Sequence, residues 1–325
     1  MKKKLFFLLF WFCVAYLFYD FFKSVDVERA WKGIISARSE WLTVAVLFNF
    51  SILLVWTLLW KVLIPKKVFV SFSKLFQANS FMATSCNTLP FPGGHAVGII
   101  SLVRVTKVKH SIALSILALD QMMEGIVKVL VLTLATYFSP LPPQMQHGIQ
   151  GFIALILLFS LIMFYAAHRV PKFEEPAEDI TQTLLFRFKK LIFQWAGHLE
   201  TLKDFRIFSA GLILALIMMA LQTLGIWAVQ KSLGHGLPIW TTILVMAALN
   251  LATILPLTPG NFGVYEGTAF LIYKFSGLSP EVALSLAFLQ HICFLVPMAG
   301  TGCVVFLMGF VTSPKKEYVN RKMGE

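Results

Sequence analysis

The sequence predicts an all-α polytopic membrane protein with six full spans and two broken, re-entrant helical hairpins arranged as an inverted-topology repeat. Three observations predict it. First, 58% of the 325 residues are hydrophobic and only 14% are charged, against roughly 45–50% and about 25% in a soluble chain. Second, the charges fall mostly between eight long apolar runs rather than within them. Third, two of those runs are interrupted at mid-length by a Pro/Gly cluster. Together they exclude a soluble enzyme, a nucleic-acid binder and a secreted disulfide scaffold. The excess of 28 Lys and Arg over 16 Asp and Glu is loop charge facing anionic lipid. The chain reads as a single membrane domain over residues 1–325.

The elements follow in order. Lys2, Lys3 and Lys4 precede an apolar run from Leu5 to Phe22, too long and too bulky at its end for a cleaved signal peptide, so it is expected to be an uncleaved first span. The loop 23–40 is expected to hold an amphipathic interfacial helix carrying Trp31, with Trp41 at its edge. Full spans are expected over Trp41–Leu63, Ser111–Phe138, Gly148–His168, Phe208–Gln230 and Glu281–Val311. The segment 171–207 is a cytoplasmic linker whose Leu184, Leu185, Phe188, Leu191, Ile192 and Trp195 recur at helical spacing; a partner-docking role is its alternative. Repeat 1 covers about 41–138 and repeat 2 about 208–311. With the N-terminus in the cytoplasm, 21 basic residues fall inside and five outside, which places both termini in the cytoplasm and the chain in a cytoplasmic (inner) membrane. Cys13, Cys86, Cys293 and Cys303 all lie in apolar runs without zinc-ligand spacing and are expected to be small buried hydrophobes. No metal and no cofactor are expected.

The two remaining runs carry the interruptions. Leu75–Val103 contains Leu89-Pro90-Phe91-Pro92-Gly93-Gly94, and Ile239–Ser276 contains Leu255-Pro256-Leu257-Thr258-Pro259-Gly260-Asn261-Phe262-Gly263. Proline removes a backbone donor and ends a helix. Gly94 to Arg104 is about 15 Å of helix, which cannot cross a core of ~30 Å, so the first run turns back near mid-membrane. The second enters from the opposite side, or forms two short spans with a brief turn. Such broken helices in opposed repeats meet at the midplane in transporters. A new half-helix is expected near Gly94 and near Gly260/Asn261, its unpaired N–H groups suiting an anion such as phosphate. Pro92, Gly93, Gly94, Pro259, Gly260, Asn261 and Gly263 are therefore site candidates. Arg104, at the cytoplasmic rim, either collects the anion or anchors the loop.

Polar residues at membrane depth complete the site. Asp120, Glu124 and Lys128 stand at i, i+4 and i+8, on one helix face. Such groups face a cavity or one another, so this face is a substrate wall or holds a Glu124–Lys128 pair. Glu266 follows the second break without a partner within one turn in sequence, so its partner is expected from another helix, water or substrate. Asn250, Gln290 and His291 are weaker candidates. No nucleotide-binding loop, zinc-protease motif or nucleophile elbow is present, so no catalytic residue is assigned and the protein is not expected to be an enzyme.

The residues also carry a resemblance. Pro259-Gly260-Asn261-Phe262-Gly263-Val264-Tyr265-Glu266-Gly267 resembles the P-G-x-x-G-x-x-E-G signature of the flippase-like family that includes the transmembrane region of lysylphosphatidylglycerol synthases. Asn87-Thr88-Leu89-Pro90-Phe91-Pro92-Gly93-Gly94, followed by Arg104, resembles its earlier N-x-x-x-P-G…R block. The likeness runs from about Lys2 to Val311. Tyr265 stands where the family often has arginine, and Asp120 with Glu124 where it tends toward an Arg…Asp pair. The resemblance implies a flippase or scramblase of anionic or aminoacylated phospholipid, or of another phosphate-bearing or charged amphiphile such as a glycolipid. Lysyl transfer is not carried over with it. Membrane lipids are the expected partners, nucleic acid is not, and a homo-oligomer is compatible. The alternatives are a membrane-embedded enzyme or subunit acting on a polyprenyl-phosphate glycolipid, with Asp120 and Glu266 as acid/base groups, and an ion-coupled small-solute transporter.

Overall fold

A computed structural model describes residues 25–89, 92–138, 143–169, 204–253 and 258–312. The expected first span Leu5–Phe22, the linker up to residue 203 and the innermost residues of both interruptions (90–91 and 254–257) lie outside them. The described residues form ten α-helices and no strand.

The short α1 (Val27–Ile35) starts where Asp26 accepts a hydrogen bond from the Arg29 N–H at 3.0 Å, a side-chain cap that satisfies an otherwise orphan amide. Its Val27, Trp31 and Ile35 are exposed along one face while Ala30 is buried, the pattern of a helix lying at an interface. Ser285 holds it down by donating to the Ala30 carbonyl at 2.8 Å.

Two long apolar helices form the frame. α2 (Ser39–Leu63) has 25 residues and ends two residues before Pro65, and α7 (Phe205–Ser232) has 28 and starts at a cap made by Asp204. They lie antiparallel: the Arg38 N–H donates to the Ser232 carbonyl at one end, and Lys66 pairs with Asp204 at the other. Asn49 packs directly on Gly225, and Trp41 meets Trp227 edge to face at 5.4 Å. With α10 (Pro280–Thr312), these are the helices that combine length and apolarity enough to cross a membrane among the described residues. Their outer faces carry Leu47, Leu216 and Leu307, each about half exposed, as lipid contact requires rather than water.

The interrupted runs appear as two pairs of short helices. α3 (Phe72–Cys86) and α4 (Gly93–Thr106) have 15 and 14 residues, about 21–23 Å each. α8 (Ile239–Ala252) and α9 (Val264–Phe275) have 14 and 12. No arm alone crosses ~30 Å of hydrocarbon. The first pair is closed by a small-xxx-small contact: Gly94 faces the backbone of Ser85 and Cys86, and Gly98 receives Met82. Such glycines let helix backbones approach where no hydrophobic force drives them together. Ser85 adds a hydrogen bond to the Gly94 carbonyl at 2.9 Å. The second interruption begins as a 3₁₀ turn, Pro259–Asn261, so α9 starts later than the sequence suggests, at Val264.

α5 (His110–Phe138) and α6 (Pro143–Arg169) complete the bundle. α3 packs on α10, and α8 packs on α5. α10 contains Pro297, which cannot donate to its own helix. Thr84 of α3 enters this stretch, its hydroxyl donating to the Ala299 carbonyl at 2.9 Å and accepting from the Gly302 N–H at 3.1 Å. Cys293 is buried as expected and Cys86 half-buried, whereas Cys303 is exposed on the outer part of α10.

A Cβ at Gly94 would stand 2.6 Å from the Ser85 carbonyl oxygen, which is backbone and cannot yield. Gly94→Ala is therefore expected to destabilise by about 1–3 kcal/mol, the usual result of overpacking. Gly300→Ala meets open space and is expected to be neutral or to stabilise by up to about 1 kcal/mol through helix propensity. Thermal unfolding of the two variants in one detergent checks both.

Candidate functional site

A cavity of about 340 Å³ lies in the middle of the bundle. Its wall draws residues from α2 to α10, and both interruptions reach it: Asn87 and His95 from the first, Asn261 and Tyr265 from the second. The interruptions also touch. Gly260 has φ +62°, and a Cβ on it would stand 3.1 Å from the Asn87 carbonyl oxygen. Glycine is needed here for both its left-handed conformation and the close approach. Asn261 repeats that conformation at φ 56°, as asparagine tolerates.

The charged face of α5 divides into two roles. Asp120 is fully buried and takes the indole N–H of Trp56 on both carboxylate oxygens at 3.0 Å. Glu124 and Lys128, one and two turns on, form an ion pair at 2.8 Å with side chains 12% and 22% exposed. They line the cavity together with Gln121 and with Trp56, the residue that Asp120 holds. The pair thus serves both expected roles, as a contact within the helix and as cavity wall. Opposite it, Asn250 of α8 donates to the Gln222 Oε1 of α7 at 3.0 Å, and both line the cavity.

Glu266 behaves differently from the expectation. Its Oε2 accepts the Gly263 N–H at 2.7 Å, closing a capping box at the start of α9. A partner does exist within one turn, but it is a backbone amide, which residue-type spacing does not reveal. Its Oε1 lies 2.7 Å from His291 Nδ1 on α10, so the partner from another helix is present as well. The second half-helix start thus already carries the chain's own carboxylate on one of its amides, which disfavours an anion there. His291 stacks on Tyr265 at 4.2 Å with the planes 9° apart. Tyr265 accepts from Gln290, Gln290 accepts from Tyr273, and Gln230 joins Tyr273 to Thr242. This buried chain fixes α7, α8, α9 and α10 to one another, and every link is satisfied, as a polar network in a low-dielectric interior requires.

The sequence candidates are placed as follows. Glu124, Lys128, Asn250 and Asn261 reach the cavity. Asp120 and Gly260 support it from just outside, and Gly94 closes the α3–α4 pair. Pro92 is the exposed N-cap of α4, next to Gly93, and Pro259 is exposed in the 3₁₀ turn. Gly263, at φ 84°, with Glu266, Gln290 and His291 forms the fixing network. Arg104 is exposed on the last turn of α4, at the opposite end of that helix from the interruption. Gln121 and Gln222 have the same signature as Asn250, a lone amide inside an apolar run. Trp56 has no such signal, because tryptophan is unremarkable in a span.

The fold and the cavity define a polytopic integral membrane protein with a small polar interior. The chain belongs to the lysylphosphatidylglycerol synthase TM region family, whose sequence model matches residues 5–302; it is thus a membrane protein related to lipid handling. No curated protein matches the chain.

Glu266 and His291 are in direct contact, so their substitutions are expected not to add. A double-mutant cycle of Glu266→Ala and His291→Ala, read by thermal unfolding, is expected to give a coupling of about 1–3 kcal/mol. Trp56→Phe leaves a buried carboxylate without its donor and is expected to cost about 1–3 kcal/mol or more.

Proposed function

We propose that the protein is a lipid translocase, a flippase or scramblase, of the cytoplasmic (inner) membrane, with both termini in the cytoplasm. The polar head group of a membrane lipid crosses through the central cavity while its acyl chains stay in the bilayer. The observation that carries this reading is the meeting of two interrupted helix pairs at one cavity whose wall mixes carboxamides and one ion pair with apolar side chains. Such a wall suits an amphiphile, whose tails need no enclosure, better than a fully hydrated solute.

Two further observations support the architecture it needs. All four arms are shorter than the membrane, as re-entrant hairpins require. The packing is reciprocal: the first arm of each pair, α3 or α8, lies against the closing helix of the other half, α10 or α5. That exchange supports a reading as two like halves, repeat 1 over about 41–138 and repeat 2 over about 208–311, inverted with respect to each other. The head group passes between the starts of α4 and α9. Because the Glu266 carboxylate sits on the Gly263 amide at the start of α9, an anionic group is disfavoured there and side chains make the contacts on that side. The protein acts on membrane lipids without catalysis of its own.

Reconstitution in liposomes carrying acyl-labelled lipids tests this, with leaflet exchange read by quenching from outside. Faster exchange than in empty vesicles is expected for at least one lipid. Replacing Gln222 and Asn250 together by Leu removes both partners of one hydrogen bond, which leaves no orphaned group, and is expected to slow exchange at least tenfold with little loss of stability. Rates equal to those of empty vesicles for every lipid would rule the reading out.

A further inference from the structure

We infer that the head group the cavity takes is an uncharged sugar, so that the lipid is a glycolipid rather than a simple phospholipid. The inference rests on the translocase reading and narrows it. Four observations lead to it.

The first is the charge balance. Among the described residues, Glu124 and Lys128 are the only Asp, Glu, Lys or Arg on the cavity wall, and they satisfy each other at 2.8 Å. A phosphate finds no spare lysine or arginine there. The start of α9 disfavours it too, since the carboxylate of Glu266 sits on the Gly263 amide at 2.7 Å.

The second is the type of polar group. Asn87, Gln121, Gln222, Asn250 and Asn261 are all carboxamides, and all line the cavity. An amide presents both a donor and an acceptor. A hydroxyl does the same, whereas a phosphodiester only accepts. Asn261 sharpens the match, because its side-chain carbonyl oxygen is buried with no hydrogen-bond partner. A buried acceptor left in that state is costly, and it calls for a donor, which a sugar hydroxyl supplies and a phosphodiester does not; phospholipid head groups with a hydroxyl or ammonium of their own are set apart by the phosphate they bring to a wall without a spare lysine or arginine.

The third is the aromatic wall. Trp56 is held by Asp120 through two contacts at 3.0 Å, and Tyr265 is held by Gln290 at 3.1 Å and stacked on His291. Rigid aromatic rings beside carboxamides suit a pyranose, which has an apolar C–H face and a polar hydroxyl rim. The fourth is size. About 340 Å³ is at the lower end of the ~300–1,000 Å³ of small-ligand sites, room for one compact head group.

The test uses the reconstituted full chain in separate vesicles. Each carries a trace of one lipid with the same labelled acyl chain: monoglucosyl diacylglycerol, phosphatidylglycerol or phosphatidylethanolamine. The glucosyl lipid is expected to exchange at least ten times faster than either phospholipid. Gln121→Leu, at a site already exposed in the cavity, is expected to lower the glucosyl rate at least fivefold. Phospholipid exchange as fast as glucosyl exchange, or an unchanged rate in Gln121→Leu, overturns the sugar assignment and leaves translocation standing. No exchange of any lipid overturns the translocase reading itself. A parallel arm measures uptake of free radiolabelled glucose, and uptake without lipid exchange shows that the sugar is a solute and overturns the glycolipid.

Discussion

Hydrocarbon offers no hydrogen-bond partner to a backbone amide or carbonyl, and at the breaks in this chain side chains bond to backbone groups. Ser85 reaches the Gly94 carbonyl across the first pair. Glu266 closes the start of α9 at Gly263. Thr84 stands in the α10 ladder near Pro297. An unsatisfied polar group in lipid costs several kcal/mol, so these side chains are what allows four short helices to sit inside a bundle framed by α2, α7 and α10. The cavity exists because the interruptions exist, and they persist because their loose ends are met.

That constraint separates residues that hold the site from residues that face it. Asp120, Glu266 and His291 are strongly polar and deeply buried, yet their partners are an indole, a backbone amide and each other. Such buried pairs are costly to break and give weak evidence of net stabilisation; their contribution is to fix Trp56, Tyr265 and the start of α9. The wall is made instead by one balanced ion pair and a set of amides. Charge at membrane depth is thus used largely as internal scaffolding, and the milder polar groups remain open to the cavity.

Much of the architecture is legible in the amino-acid order because the physics involved is local or one-dimensional. Apolar length identifies α2, α7 and α10, and proline with glycine marks both interruptions. A spacing of four puts Glu124 beside Lys128, and their ion pair follows directly. What escapes is contact between distant segments. The Glu266–His291 pair joins residues 25 apart and the Trp56–Asp120 bond residues 64 apart, and no periodicity encodes either. The α9 cap escapes for another reason: its donor is a backbone N–H, invisible to any search over side-chain types. Arg104 is legible for the same one-dimensional reason: a 14-residue helix carries its last turn about 20 Å from its first, which puts this residue at the end of α4 away from the interruption.

The Thr84 contacts with α10 also bear on how the chain is made. The threonine and Gly302 are 218 residues apart, and synthesis proceeds at about 5–20 residues per second. The α3–α4 pair therefore enters the bilayer some tens of seconds before the helix that receives its hydroxyl has been translated, by the same rate. During that interval its Ser85–Gly94 bond, its glycine contacts and the Asn79–Thr57 bond to α2 must hold it without α10. The close fit between those two arms is thus a requirement of the order of synthesis as well as of the finished bundle, and α10 acts as the latch of an assembly begun well upstream in the chain.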